Sequence, residues 1–123
     1  MEAEWGQIEA EESYLKENRR DGITVDILVN NAGIAYEGLS VDIETDEVER
    51  MVMINAMAYA KLSKLYGQDM RARGRGRILM VSSMAGLTSS SPNTALDRAT
   101  KAFSTSFALS IAKESAPSGV TLT

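Results

Sequence analysis

The chain of 123 residues has no histidine, no cysteine and only two prolines, Pro92 and Pro117. Without histidine a Ser-His-Asp hydrolase is excluded. Without cysteine there is no thiol nucleophile, no zinc site of the Cys/His kind and no disulfide framework. No apolar run approaches the roughly 18 residues that a membrane span needs. The opening Met-Glu-Ala-Glu has neither the basic stretch nor the apolar run of a signal peptide, so a soluble, cytoplasmic protein without a membrane span is expected. Positive charge is also scarce, with 13 bases against 17 acids and a net charge of -4. The imbalance is local: residues 1–21 carry seven acids and three bases, and from residue 22 onward ten acids and ten bases cancel. Such a chain is a poor partner for nucleic acid, which is gripped by clustered Lys and Arg.

What remains is an ordinary globular composition, 44% apolar and 24% charged, which can support a core. The length allows one domain at most and leaves half of a larger fold open. Area scaling gives roughly 19,300 Å² for the unfolded chain against roughly 6,500 Å² for a compact one.

Residues 2–20 have the look of a helix, with Trp5, Ile8 and Leu15 as a sparse apolar stripe, the acids as a solvated face, and Asp21-Gly22 as the stop. Ile27-Leu28-Val29 is a short, continuous, β-rich run, the pattern of a strand buried on both faces. Residues 46–72 read as one long helix capped by Thr45 or Asp46 and striped by Val48, Met51, Val52, Leu62, Leu65 and Met70. Ile78-Leu79-Met80-Val81 is a second buried strand, residues 95–115 a further helix, and Val120-Thr121-Leu122-Thr123 a third strand. The four arginines at 71, 73, 75 and 77 read as a solvated turn, since no aromatic interleaves them for base stacking. Strands alternating with helices define an α/β protein with a parallel sheet and right-handed crossovers.

In such a sheet ligands bind beyond the carboxyl ends of the strands. Asn30-Asn31-Ala32-Gly33 follows the first strand, Ser82-Ser83-Met84-Ala85-Gly86 follows the second, and Asp97 and Lys101 lie four apart on the next helix. Taken singly each has a plain alternative: Ser83 a turn or cap serine, and Asp97 with Lys101 an ion pair between helical neighbours. Together, Asp26-Ile-Leu-Val-Asn-Asn-Ala-Gly33, Asn55, Arg77-Ile-Leu-Met-Val-Ser-Ser-Met-Ala-Gly86 and Ala99-Thr-Lys-Ala-Phe103 resemble the short-chain dehydrogenase/reductase family from about residue 24 to 123.

The resemblance implies a partial Rossmann-type doubly wound sheet, with residues 1–123 as one partial NAD(P)-binding domain. It implies hydride transfer between NAD or NADP and a small-molecule alcohol or ketone. Asn31, Ala32 and Gly33 would line the adenosine side of the cofactor. Asn55 would kink its helix and hold a proton-relay water, Ser83 would bind the substrate carbonyl, and Lys101 would hold the nicotinamide ribose. The helices at 46–72 and 95–115 would form the interface of a homo-oligomer.

Two departures stand against this. The family's acid/base tyrosine falls at Asp97. A carboxyl group ordinarily titrates near pH 4, so at pH 7 about one in a thousand carries the proton that carbonyl reduction must donate. The glycine-rich turn that grips the pyrophosphate is missing, since Gly74 and Gly76 follow a helix and precede a strand. Truncation and Asp97 together predict impaired chemistry. A catalytically inactive relative acting through its helix surfaces is the alternative. The absent first strand would leave the strand at 25–30 with an open, apolar edge.

Overall fold

The computed structural model describes residues 10–88 and 91–123; Trp5 and Ile8 lie outside them. The elements are α1 (Ala10–Arg20), β1 (Ile27–Asn30), α2 (Thr45–Val52), a π-helical turn (Met53–Met57), α3 (Ala58–Arg73), β2 (Gly76–Met80), α4 (Ala95–Ser115) and β3 (Val120–Leu122). The strands form one parallel sheet in the order β1-β2-β3. The expected α/β order is therefore present.

Alternation along each strand sorts its side chains onto two faces. Leu28, Ile78, Met80, Val120 and Leu122 point to one face and pack with Tyr59, Leu62, Tyr66 and Met70 of α3, Phe107 of α4 and Leu15 of α1. The opposite face carries Ile27, Val29 and Leu79, which are 60%, 52% and 42% exposed. This corrects the expectation of strands buried on both faces. The apolar runs suit two-sided burial, but every helix among the described residues that packs on the sheet does so on the same side. The chain exposes 7734 Å² against the roughly 6,500 Å² of a compact protein of its mass, and the bare face is one source of the excess.

The long helix expected over 46–72 is interrupted by the five-residue π turn. Its start also differs: Glu44 occupies the N-cap and makes no side-chain capping bond. Met51 and Met70 are fully buried, whereas Val52 and Met57 are exposed. The acids of α1 are not all solvated. Glu11 is fully buried and accepts from Lys61 at 2.8 Å, and Asn18 donates to the Tyr66 hydroxyl at 2.7 Å. An Arg19–Asp69 ion pair also ties α1 to α3. Of the arginines, Arg73 donates to the Val25 carbonyl at 2.7 Å, and Arg73 and Arg75 each lie 3.9 Å from Asp26. No helix among the described residues is long and apolar enough to cross a membrane.

Burial raises the phenol pKa of both Tyr59 and Tyr66, opposed at Tyr66 by the hydrogen bond from Asn18. A raised pKa means the folded state holds its proton where the unfolded chain has lost it. Their stabilising contribution is therefore complete below the ordinary phenol value of 10.0 and is lost as pH climbs past it. The urea midpoint is expected to stay level from neutrality to about pH 9 and to fall above about pH 10. Tyr59→Phe should flatten that fall, and an unchanged slope in the variant would refute the assignment.

Candidate functional site

Because β1 and β2 are parallel, their carboxyl ends open on the same edge of the sheet. Beyond β1 the chain runs through exposed Asn31, Ala32 and Gly33. Beyond β2 it passes Ser82 and Ser83 into the short 3-10 turn Met84–Gly86. Helix α4 lies behind both segments.

Asn55 sits in the π turn and is 1% exposed. Its Oδ1 accepts from the Ile34 amide at 2.9 Å, and its Nδ2 donates to the Ile34 carbonyl at 2.7 Å and to Thr100 Oγ1 at 3.2 Å. One amide side chain thus pins the loop after β1 to both helices. The arrangement accounts for a buried amide in an apolar helix, since burial is costly unless every polar atom is partnered. The wider π turn presents Asn55 where these partners meet.

Lys101 approaches the same place. A Cβ built on Gly33 would come within 2.9 Å of Lys101 Nζ and 3.5 Å of Asn55 Oδ1, so only glycine leaves the ammonium its position. A Cβ on Gly86 would lie 2.7 Å from the Lys101 carbonyl, which places the Ser83–Gly86 turn against the backbone of Lys101. Ser83 is half-buried, and its Oγ accepts from the Ala85 amide at 3.1 Å. Its neighbour Ser82 shares a 2.6 Å hydrogen bond with Thr105 of α4. Asn55, Lys101 and the turn bearing Ser83 are therefore gathered around the loop after β1.

Asp97 is in the first turn of α4, where a negative charge suits the helix dipole. Among the described residues no ion pair joins it to Lys101, and its Oδ1 is buried without a hydrogen-bond partner.

Two further residues were not singled out from the sequence. Thr100 Oγ1 donates to the Asp97 carbonyl at 2.9 Å while receiving Asn55. Ser104 Oγ lies 3.3 Å from the Asn55 carbonyl and 3.2 Å from that of Thr100. The available signal was a pair of small hydroxyl residues four apart on one helix face. Replacing Asn55 by Leu should cost about 2–3 kcal/mol, because buried partners are left unpaired. Urea denaturation reads the loss, and the Ile34 amide should exchange faster with solvent; an Ile34 amide as protected as in the parent would show that the clamp is not what holds the loop.

Residues 5–123 match the family model for short chain dehydrogenase. Over 111 residues the chain is 35% identical to the 3-oxoacyl-acyl-carrier-protein reductase FabG of Salmonella typhimurium, covering 90% of this chain and 45% of that protein. A short-chain dehydrogenase from Streptomyces avermitilis superposes with a TM-score of 0.87 at 27% identity, over 98% of this chain and 44% of the other. A putative NAD(P) dependent gluconate 5-dehydrogenase from Beutenbergia cavernae, solved with bound NADP, gives 0.88 at 28% identity over 98% and 47%. The chain spans a little under half the length of these relatives, and it belongs to the short-chain dehydrogenase family.

Proposed function

We propose that the chain forms one side of a hydride-transfer site, a single partial NAD(P)-binding domain over residues 1–123 that works on an alcohol or ketone. The observation that carries this reading is the gathering of Asn55, Lys101 and the Ser83 turn at the carboxyl ends of β1 and β2. Gly33 leaves room for Lys101 Nζ, which a Cβ there would approach within 2.9 Å; an ammonium beside the exposed Asn31 and Ala32 suits the hydroxyls and phosphates of a nucleotide, so the residues present fit the group on the side this chain supplies. Asn31, Ala32 and Gly33 line the adenosine side, and Lys101 holds the nicotinamide ribose. NAD or NADP, when bound, supplies or accepts the hydride. Ser83 Oγ orients the substrate oxygen, and Asn55 holds the relay water.

Asp97 is the weak point of this constellation. Its Oδ1 is buried without a hydrogen-bond partner, so no neighbour among the described residues sets that oxygen to serve a developing alkoxide. The reductase activity is therefore low, and a second reading, an inactive member that acts through protein contacts, is favoured by this one residue. Both readings include a homo-oligomer through the helices at 46–72 and 95–115, supported by the exposed Val52, Met57, Phe103 and Leu109.

Titration of the purified chain with NADPH and NADH, followed by cofactor fluorescence, is expected to show binding at millimolar concentration. No binding at that level would overturn the first reading in favour of the second. In a polypeptide that carries a glycine-rich cofactor turn together with these residues, Asp97→Tyr should raise ketone reduction by about 10² to 10⁴. A parent that turns over as fast as the variant would remove Asp97 as the cause of low activity.

A further inference from the structure

Helix α4 carries three hydroxyl residues, Thr100, Ser104 and Thr105, on the two rows that include Lys101. Residues four apart lie one above the other on a helix, so Thr100 stands over Ser104 in one row and Lys101 over Thr105 in the next. Thr100 is 4% and Ser104 1% exposed, and Thr105 is half-buried. Buried positions on a helix are ordinarily filled by aliphatic side chains, because a hydroxyl taken out of water costs free energy unless it is bonded. A hydroxyl that bonds back to its own helix also weakens the helix slightly. Three such residues on adjacent rows call for a use.

The direction of their bonds supplies one. Each hydroxyl has one proton and two lone pairs. Thr100 Oγ1 gives its proton to the Asp97 carbonyl at 2.9 Å, and Thr105 Oγ1 gives its own to the Lys101 carbonyl at 3.2 Å. With both protons held inside the helix, the two oxygens face outward as acceptors only. Thr100 Oγ1 accepts from Asn55 Nδ2 at 3.2 Å, and Thr105 Oγ1 then accepts from Ser82 Oγ at 2.6 Å. Ser104 Oγ lies 3.2 Å from the Thr100 carbonyl and 3.3 Å from the Asn55 carbonyl, so it ties the backbone of the π turn to that of α4.

Each row therefore reaches one strand end. Asn55 carries the first tie on to both backbone groups of Ile34 in the loop after β1. Ser82 carries the second to its neighbour Ser83, whose turn lies against the Lys101 backbone at Gly86.

We infer that Thr100, Ser104 and Thr105 are positioning residues, which set Asn55 and the Ser83 turn in register with Lys101 by presenting acceptors that only donors can meet. Thr100 also decides which way the Asn55 amide lies: a flipped amide would set Oδ1 against an oxygen with no proton to give. The further consequence, that this register governs affinity for a nucleotide, rests on the hydride-transfer reading.

Hydrogen exchange on the intact chain tests the positioning without any nucleotide. Thr100→Val keeps the shape of the side chain and removes the acceptor, so the Ile34 amide is expected to exchange about fivefold faster or more. The Gly86 amide, which donates to the Ser83 carbonyl at 3.0 Å, should keep its parental rate. Thr105→Val is expected to do the converse, moving Gly86 and leaving Ile34. Thr100→Ser restores the oxygen without the methyl group and should return Ile34 to the parental rate. A merely structural role would speed both amides together in every variant and would not be reversed by serine; that result, or two unchanged amides, overturns the proposal. Should Thr100→Val fail to fold, Ser104→Ala takes its place, with Ile34 expected to move and Gly86 to stay. Titration with NADPH is the second readout: Thr100→Val is expected to weaken binding about threefold or more, and Thr100→Ser to recover it. A parent that binds no NADPH removes the hydride-transfer reading, while the exchange pattern still decides the positioning. A Thr100→Val chain that binds NADPH as tightly as a binding parent overturns the link from register to nucleotide affinity.

Discussion

Both crossovers in this sheet step the same way, from β1 to β2 to β3, and a right-handed connection that always steps the same way always returns on the same face. Most other features follow from that constraint. The core lies entirely between the sheet and its helices, with Ile78, Met80 and Val120 against Leu62, Tyr66 and Met70. The opposite side chains, although as apolar as those of the core, have no helix of the described residues packed over them. At about 25 cal/mol per Å² of apolar area, a residue such as Ile27 or Val29 leaves on the order of 1–2 kcal/mol of burial unrealised. Among the described residues no strand pairs with the outer edge of β1, so an uncovered face and an unpaired edge meet there.

The candidate site depends on a smaller device of the same kind. Asn55 gives both ends of its amide to the backbone of Ile34 and a further bond to Thr100, so the loop after β1 cannot move independently of the interrupted helix or of α4. Lys101 Nζ can come close to that loop because Gly33 has no side chain. A site assembled in this way rests on helices and strand ends rather than on free loops, the arrangement that keeps reacting groups in register. Asp97, by contrast, has one carboxylate oxygen buried without a partner.

Much of the architecture could be read from local pattern. Helix α4 spans 95–115 as its pattern predicts, and Gly119 follows it in the left-handed conformation just before β3. The two strand-end segments and Asn55 were equally legible. Small residues after a β-rich run mark the ligand edge of a parallel sheet, and an amide inside an apolar helix must find polar partners across the fold. The interruption at Met53–Met57 was not written in periodicity. A π turn adds one residue to a helical repeat without changing which residue types compose it. Burial of Glu11 was hidden for a different reason: its partner Lys61 lies 50 positions away, beyond any local signal.

Ile27-Leu28-Val29 separates the two kinds of knowledge most clearly. The order of apolar and β-branched residues determined that this segment would be a strand in a parallel α/β sheet, since propensity and hydrophobicity are properties of the residues themselves. It could not determine which of its faces would be covered, because coverage depends on which helices return to which side. The same division holds at the site. The sequence by itself ordered an amide, a hydroxyl, a carboxylate and an ammonium along the chain, at Asn55, Ser83, Asp97 and Lys101. Only the folded chain decided that Asn55 and Lys101 meet at Gly33 while Asp97 makes no pair with Lys101, for such meetings are set by the packing of helices on the sheet and not by spacing along the chain.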